Sequence, residues 1–287
     1  MRILVTGSTG KLGPHVVTAL LRRGQTVRAL VRDGGRAAAV LPPDVEPVIG
    51  TFEDTDVLRD ELDAADAVFL LTPHGPTMAD TQNGLIDLAA KSGTRVVKVS
   101  GTSAGIRPDG PDACRQHYDT ERYLAAAGVP WAVLRPNGFM QTLLVAMAAT
   151  VRERGIIANP LGAAGISLVD CADVGDAAAA VLTDPTIEGR TYVLTGPTAP
   201  TYAQIAAAIQ AETGTPVTVL DVTPEQAGQA ARARGLSDWE AHHLAEMLTL
   251  FRSGATQEVT DDLPSLTGRA ARSVPDFVHE HRDLFAR

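Results

Sequence analysis

Gly7, Gly10 and Gly13 recur at even spacing in the stretch VTGSTGKLGPH, directly after the apolar run RILVT and before a helix-length segment. A glycine-rich corner between a strand and a helix can hold a pyrophosphate. Gly7 would permit the tight turn, Gly10 would let the backbone approach the phosphates, and Gly13 would let the helix pack closely on the sheet. Exposed N–H groups of Ser8, Thr9, Lys11 and Leu12, with the positive end of the helix dipole, would then supply the attraction. Ser8 and Thr9 separate the first two glycines, so the spacing departs from the G-x-G-x-x-G fingerprint, and a corner without a ligand is the competing reading. A Walker-type loop is excluded, because Gly10-Lys11 is followed by Leu12 and position 5 is Val.

Other residues with chemical potential lie further along. Val31-Arg32-Asp33 ends the second apolar run. Asp33 stands about twenty residues after the last glycine, where an acid would accept ribose hydroxyls, whereas Arg32 would accommodate a 2′-phosphate. Arg36 could add a second positive charge. A guanidinium grips phosphate in bidentate fashion and a carboxylate repels it, which favours NADP. Tyr118-Asp-Thr-Glu-Arg122 imitates a Tyr-x-x-x-Lys pair, and His117 and Glu121, one helical turn apart, could pair with each other. GTSAG at 101–105 matches a nucleophile elbow, but that motif requires a helix directly after Ser103, and IRPDGPD follows instead. The adjacent His242-His243 and the run His279-Glu280-His281 lack the spacing of common zinc sites, so no metal is expected.

These groups need elements to position them. The runs RILVT (2–6), TVRALV (26–31), VEPVI (45–49), AVFLL (67–71), RVVKVS (95–100) and WAVLR (131–135) have strand length and alternate with helix-length segments. Such alternation predicts an α/β fold, a Rossmann-type doubly wound parallel sheet with helices on both faces. It continues through DVGDAAAAVLTD and RTYVLTG, so residues 1–196 read as the nucleotide-binding domain. Residues 197–287 read as a smaller, mostly helical substrate lobe to which 138–168 contribute. The chain has 287 residues, of which 45% are hydrophobic and 21% charged, an ordinary balance for a globular protein. A net charge of −9 without a long basic run argues against nucleic acid and anionic membranes. Cys114 and Cys171 build no disulfide framework, and MRILVTG enters a strand directly, so a cytoplasmic protein without a membrane span is expected.

The blocks ILVTGSTGKLG, VRALVRD, LLTP, VSGTSAG, HYDTERYLAAAGVPWAVLRPNGFMQ, SLVDCADVGDAAAAVL and YVLTGPTAPTYAQIA fall in one order over nearly the whole chain. Together they resemble the NmrA-like branch of the atypical short-chain dehydrogenases. This branch holds quinone, azo-dye and triphenylmethane reductases, isoflavone-reductase relatives and NmrA regulators. The resemblance implies NADPH, with Arg32 on its 2′-phosphate and Thr72, Pro73, Ser100 and Pro136 lining the cofactor channel. It places His74, Asn137, Phe139 and Met140 at the substrate pocket, whose apolar wall suits a planar or aromatic acceptor. Aligned with the branch, the usual tyrosine and lysine positions fall on Asp112 and Gln116, whereas His117-x-x-x-Glu121 matches the quinone and dye reductases. Hydride transfer is therefore expected to rely on positioning, with Thr102, His117 or Tyr118 as hydrogen-bond donor. Two functions follow: an NADPH-dependent reductase of a small quinonoid, azo, enone or carbonyl compound, or a regulator that senses the cofactor without turnover.

Overall fold

A computed structural model describes residues 1–286. The first half alternates strand and helix: β1 (Arg2–Val5), α1 (Gly13–Arg22), β2 (Thr26–Val31), α2 (Gly34–Val40), β3 (Glu46–Ile49), α3 (Thr55–Asp63), β4 (Ala67–Leu70), α4 (Met78–Ser92), β5 (Arg95–Val99), α5 (Asp112–Ala126) and β6 (Trp131–Pro136). The second half adds α6 (Met140–Arg154), β7 (Ile156–Asn159), α7 (Cys171–Thr183), β8 (Arg190–Leu194), α8 (Tyr202–Thr213), β9 (Thr218–Asp221), α9 (Pro224–Ala233), α10 (Asp238–Arg252), α11 (Asp262–Thr267) and α12 (Val274–Glu280).

Seven strands form one parallel sheet in the order β3-β2-β1-β4-β5-β6-β8. Its central strands are buried on both faces, which is why they read as continuous Val, Leu and Ile runs without alternation. One face packs on α1 and α7 through Val16, Val17, Leu20, Val174, Ala178 and Val181. The other packs on α3, α4 and α5 through Leu58, Leu62, Leu85, Ile86 and Leu124. The strand order reverses between β1 and β4, and parallel sheets bind ligands at the carboxyl side of that point.

A second core lies around the two-stranded parallel sheet β7-β9, where Met140, Leu144, Ile157, Ile205, Ile209, Leu248, Phe251 and Phe277 meet. Neither of these four-residue strands stands out in the sequence. The segment 138–168 therefore packs with much of the chain beyond 197. Helix α11 departs from that grouping: its Leu263 is buried in the core of the large sheet beside α7 and β8.

The corner after β1 is built on backbone contact. Gly7 has φ +63°, and a Cβ there would lie 2.8 Å from the Leu71 carbonyl oxygen. A Cβ at Gly13 would lie 2.3 Å from the Gly7 carbonyl oxygen and 2.5 Å from Ser8 Cα, neither of which is a flexible side-chain end. Gly13→Ala is expected to destabilise the fold by about 3 kcal/mol, the upper range of an overpacked site. By contrast Gly84, on α4 with nothing within 4 Å of its Cβ position, should gain up to about 1 kcal/mol on change to Ala. Denaturant unfolding of both variants checks the pair.

Candidate active site

Ser8 and Leu12 turn inward from the corner. Ser8 Oγ donates to the Leu30 carbonyl at 3.0 Å, which ties the turn to β2, and Leu12 is 2% exposed. Thr9 is half-buried, whereas Gly10 and Lys11 are exposed. A Cβ at Gly10 would meet only the Gly7 carbonyl oxygen, at 3.3 Å, so the turn is open on that side. Helix α1 has no capping side chain and no acidic residue in its first turn. Its leading N–H groups are thus left for an outside acceptor, and the positive end of its dipole is unneutralised. This cradle fits the pyrophosphate of a dinucleotide.

The end of β2 separates Arg32 from Asp33. Asp33 caps α2, its Oδ1 accepting from Gly35 N at 2.8 Å and Arg36 N at 3.3 Å. Its carboxylate is committed to the helix. Arg32 is exposed beside it.

At the carboxyl end of β5 and β6 a polar layer is sealed between the sheet and α5. Residues on the same face of β5 are Val96, Lys98 and Ser100, so the apolar run turns polar as it nears the ligand edge. Ser100 Oγ donates to Glu121 Oε1 at 2.5 Å, and Glu121 forms a two-pronged pair with Arg135 of β6, Nε to Oε1 at 3.0 Å. Lys98 is completely buried and its Nζ lies 2.9 Å from His117 Nδ1. His117 and Glu121 therefore do not pair with each other; each faces a different cation on the sheet. His117 is 3% exposed, and its Nε2 has no hydrogen-bond partner. The ring edge opposite Nδ1 lies toward Gly101, with Cδ2 3.4 Å from that residue's Cβ position. Burial, with the charges of Lys98, His74 and His243, holds the imidazole well below its ordinary pKa, so it is neutral.

The rim above His117 comes from three elements. His74, in the exposed loop after β4, has its ring centroid 5.8 Å from that of His117 and 5.7 Å from that of His243 on α10. His243 stacks on Trp239 at 5.2 Å, and Trp239 Nε1 donates to Asp112 Oδ2 at 2.9 Å. Gln116 accepts from Ala79 N and donates to the Gly75 carbonyl, clamping the loop before α4 to α5. Asp112 and Gln116, the positions expected to align with the tyrosine and lysine of the dehydrogenases, thus serve as structural tethers. Tyr118 is half-buried, and the Arg122 guanidinium lies over its ring, 5.7 Å from the ring centroid.

Thr72 is buried and accepts from Gln82 Nε2 at 2.7 Å, and Pro73 is exposed beside it. Pro136, buried, ends β6. Thr102 donates to Asn137 Oδ1 at 2.9 Å, while Asn137 Nδ2 donates to Ser167 Oγ and the Thr256 carbonyl. Asn137 thereby links the ends of β5 and β6 to Ser167 and to the Thr256 backbone. Phe139 is half-buried against the main core. Met140 is wholly buried in the second core and presents no surface to a ligand. Ser103 begins a single 3-10 turn, not the long helix of a nucleophile elbow. Among the described residues no cluster of three or more His, Cys, Asp or Glu could hold a metal, and no helix is long and apolar enough to cross a membrane.

A doubly wound sheet with an open glycine corner at its switch point, and a buried polar layer beside it, defines a nicotinamide-dependent oxidoreductase of the Rossmann type. Residues 1–274 match the NmrA-like family, and the chain belongs to it. It is 33% identical over 284 residues to the NAD(P)H azoreductase of Xenophilus azovorans, covering 99% of each chain. It is 34% identical over 285 residues to the (4-alkanoyl-5-oxo-2,5-dihydrofuran-3-yl)methyl phosphate reductase of Streptomyces griseus, again covering 99% of each. Among solved structures, the NADPH-dependent quinone oxidoreductase of Escherichia coli in complex with NADPH superimposes with a TM-score of 0.87. The two are 25% identical, with 97% of this chain and 99% of that one covered.

Sequence reasoning missed Lys98, His243 and Trp239. Lys98 had a local signal, a charge in the middle of the apolar run RVVKVS; the other two had none, because they reach the site only through the packing of α10. Burial pushes Lys98 down from 10.5 to about 7. Below pH 7 the buried charge carries its full cost, and above 10.5 the amine is neutral folded or unfolded. Between those values the unfolded chain binds more protons, so this group makes the fold more stable as pH rises. Lys98→Met removes that dependence. The melting temperature of the variant minus that of the parent should be greatest at pH 6 to 7 and shrink toward pH 10, as thermal unfolding across that range would show.

Proposed function

We propose that the chain is an NADPH-dependent reductase of small planar acceptors of the quinonoid or azo type. One juxtaposition carries the reading: on the same carboxyl edge of the sheet, the uncapped start of α1 leaves room for a pyrophosphate while the buried His117 Nε2 is left without a partner. The azoreductase and quinone oxidoreductase likenesses support the acceptor class.

The nicotinamide supplies a hydride when bound. The residues of this chain do the rest. Gly7, Gly10 and Gly13, with the backbone of Ser8, Thr9, Lys11 and Leu12, hold the pyrophosphate, and Arg32 recognises the 2′-phosphate because Asp33 is occupied in capping α2. Thr72, Pro73, Ser100 and Pro136 border the nicotinamide end. Thr102 and Asn137 act through each other and through Ser167, fixing the channel floor instead of donating to substrate. His117 offers Nε2 to the acceptor, and His74 with Phe139 flanks the entrance. A general acid of this kind is worth roughly 10²–10⁴-fold in rate.

Loss of NADPH absorbance with a panel of quinones, azo dyes and cyclic enones tests the reading. Turnover on quinones or azo dyes is expected; tight NADPH binding with no turnover on the whole panel, together with recovery of a protein partner, would favour a cofactor-sensing regulator. The parent should bind NADPH more tightly than NADH, and Arg32→Ala should narrow that preference by roughly 1.5–3 kcal/mol, a lost charged hydrogen bond. Titration with both cofactors measures it. Tyr118→Phe should lower kcat by less than roughly tenfold, since its ring packs against the Arg122 guanidinium and the usual tyrosine position is expected to fall on Asp112. Steady-state kinetics on any accepted quinone decides between that small loss and a near-complete one.

A further inference from the structure

Glu121 and Arg135 pair with each other, which leaves Lys98 as the charged group of the layer without an ion-pair partner, and no step above uses it. An ammonium has three N–H donors and no acceptor. Here one donor faces His117 Nδ1 at 2.9 Å and another the Val99 carbonyl at 3.3 Å. A neutral imidazole that accepts at Nδ1 must carry its proton on Nε2. That nitrogen is buried, unpartnered and on the ring edge turned toward Gly101 at the end of β5.

We propose that Lys98 is a positioning residue that fixes the proton of His117 on Nε2 and replaces it during reduction, passing a proton through the imidazole to the acceptor. The proposal rests on the reductase reading above. As the acceptor takes up a hydride it gains an electron pair on oxygen or nitrogen. That pair forms a bond to the Nε2 proton while the N–H electrons return to the ring. Nδ1 in turn takes a proton from Nζ, whose N–H electrons stay on Lys98 as the lone pair of a neutral amine. The imidazole is neutral at the start and at the end; only its tautomer has changed. The acceptor has gained one hydride and one proton, and the dinucleotide has lost two electrons. Between turnovers a proton from water enters at Nε2 and the Nδ1 proton returns to the amine, which restores both groups.

The surroundings suit a group that must both hold and release a proton. Lys98 is faced by His117 and Glu121 from α5, Arg135 from β6, His74 from the loop after β4 and, beyond it, His243 from α10. Glu121 favours its charged form, Arg135 opposes it, and burial opposes it most, leaving the ammonium poised near neutrality.

The test has one readout that does not depend on turnover. In full-length protein labelled with ¹⁵N-histidine, His117 should be the Nε2–H tautomer at pH 6.5, its signals assigned by their loss in His117→Gln. In Lys98→Met, of similar length and apolar, the ring should become a mixture of tautomers. With a para-quinone as acceptor, kcat of the parent should fall as pH rises through about 7 to 8, the sign expected when the protonated amine is the source. Lys98→Met should lose on the order of 10²-fold at pH 6.5 and show no such limb, with KM for NADPH unchanged. A parent His117 protonated on Nδ1 would overturn the proposal, and that spectrum needs no variant. An unchanged tautomer and pH profile in Lys98→Met would overturn it as well. An inactive parent whose His117 carries Nε2–H would instead sink the reductase reading and leave the Lys98–His117 geometry standing.

Discussion

The ligand edge hangs on one close contact, the first turn of α1 seated on the crossing from β1 to β4. Thr6 Oγ1 accepts from Leu71 N at 2.9 Å and lies within hydrogen-bond distance of the Phe69 and Leu71 carbonyls, so the ends of the two strands are locked together. Gly7 then turns the chain against Leu71, and Gly13 slides beneath the Gly7 carbonyl. No side chain fits at either position. Because α1 begins so close to the sheet, its unpaired N–H groups open at the switch point, where a dinucleotide approaches.

The same edge carries an unusual amount of buried polarity. Charges removed from water are tolerated only where partners replace the lost hydration. Glu121 meets that demand fully, with Arg135 on two prongs and Ser100 on a third side. Lys98 meets it partly, and the deficit appears as a weakened hold on its proton. A well-paired ion pair next to a poorly paired lysine lets the layer be rigid in one half and titratable in the other. The functional use of Lys98 grows from that imbalance.

Helix α10, packed into the second core through Leu248 and Phe251, also closes the rim of the candidate site. Helix α10 reaches across α5: Glu246 accepts from Asp112 N at 3.2 Å, Trp239 donates to Asp112, and Cys114 lies 3.6 Å from Met247 sulfur to sulfur. The first turn of α5 is thereby capped by a residue more than a hundred positions away in the chain. His243 arrives on the same helix and stands over His74. A shift of α10 would move the rim while leaving His117 and Lys98 in place, since both are held by the sheet and α5.

Local chemistry in the sequence was enough for much of this. The strand runs and their spacing determined the doubly wound sheet, because a strand buried on both faces must be apolar throughout; the glycines determined the corner, because only they fit its φ angle and backbone contacts. Arg32 and Asp33 were visible as competitors, but only the structure assigned Asp33 to the α2 cap. His117 and Glu121 were visible as neighbours on one helical face, yet the sheet separated them, giving each its own cation. The lysine–histidine contact, the tethering roles of Asp112 and Gln116, and the approach of α10 were decided by tertiary structure alone. The physical reason is the same in each case: a spacing along one element fixes which residues share a face, whereas the partner that face meets depends on how strands and helices distant in sequence are packed together.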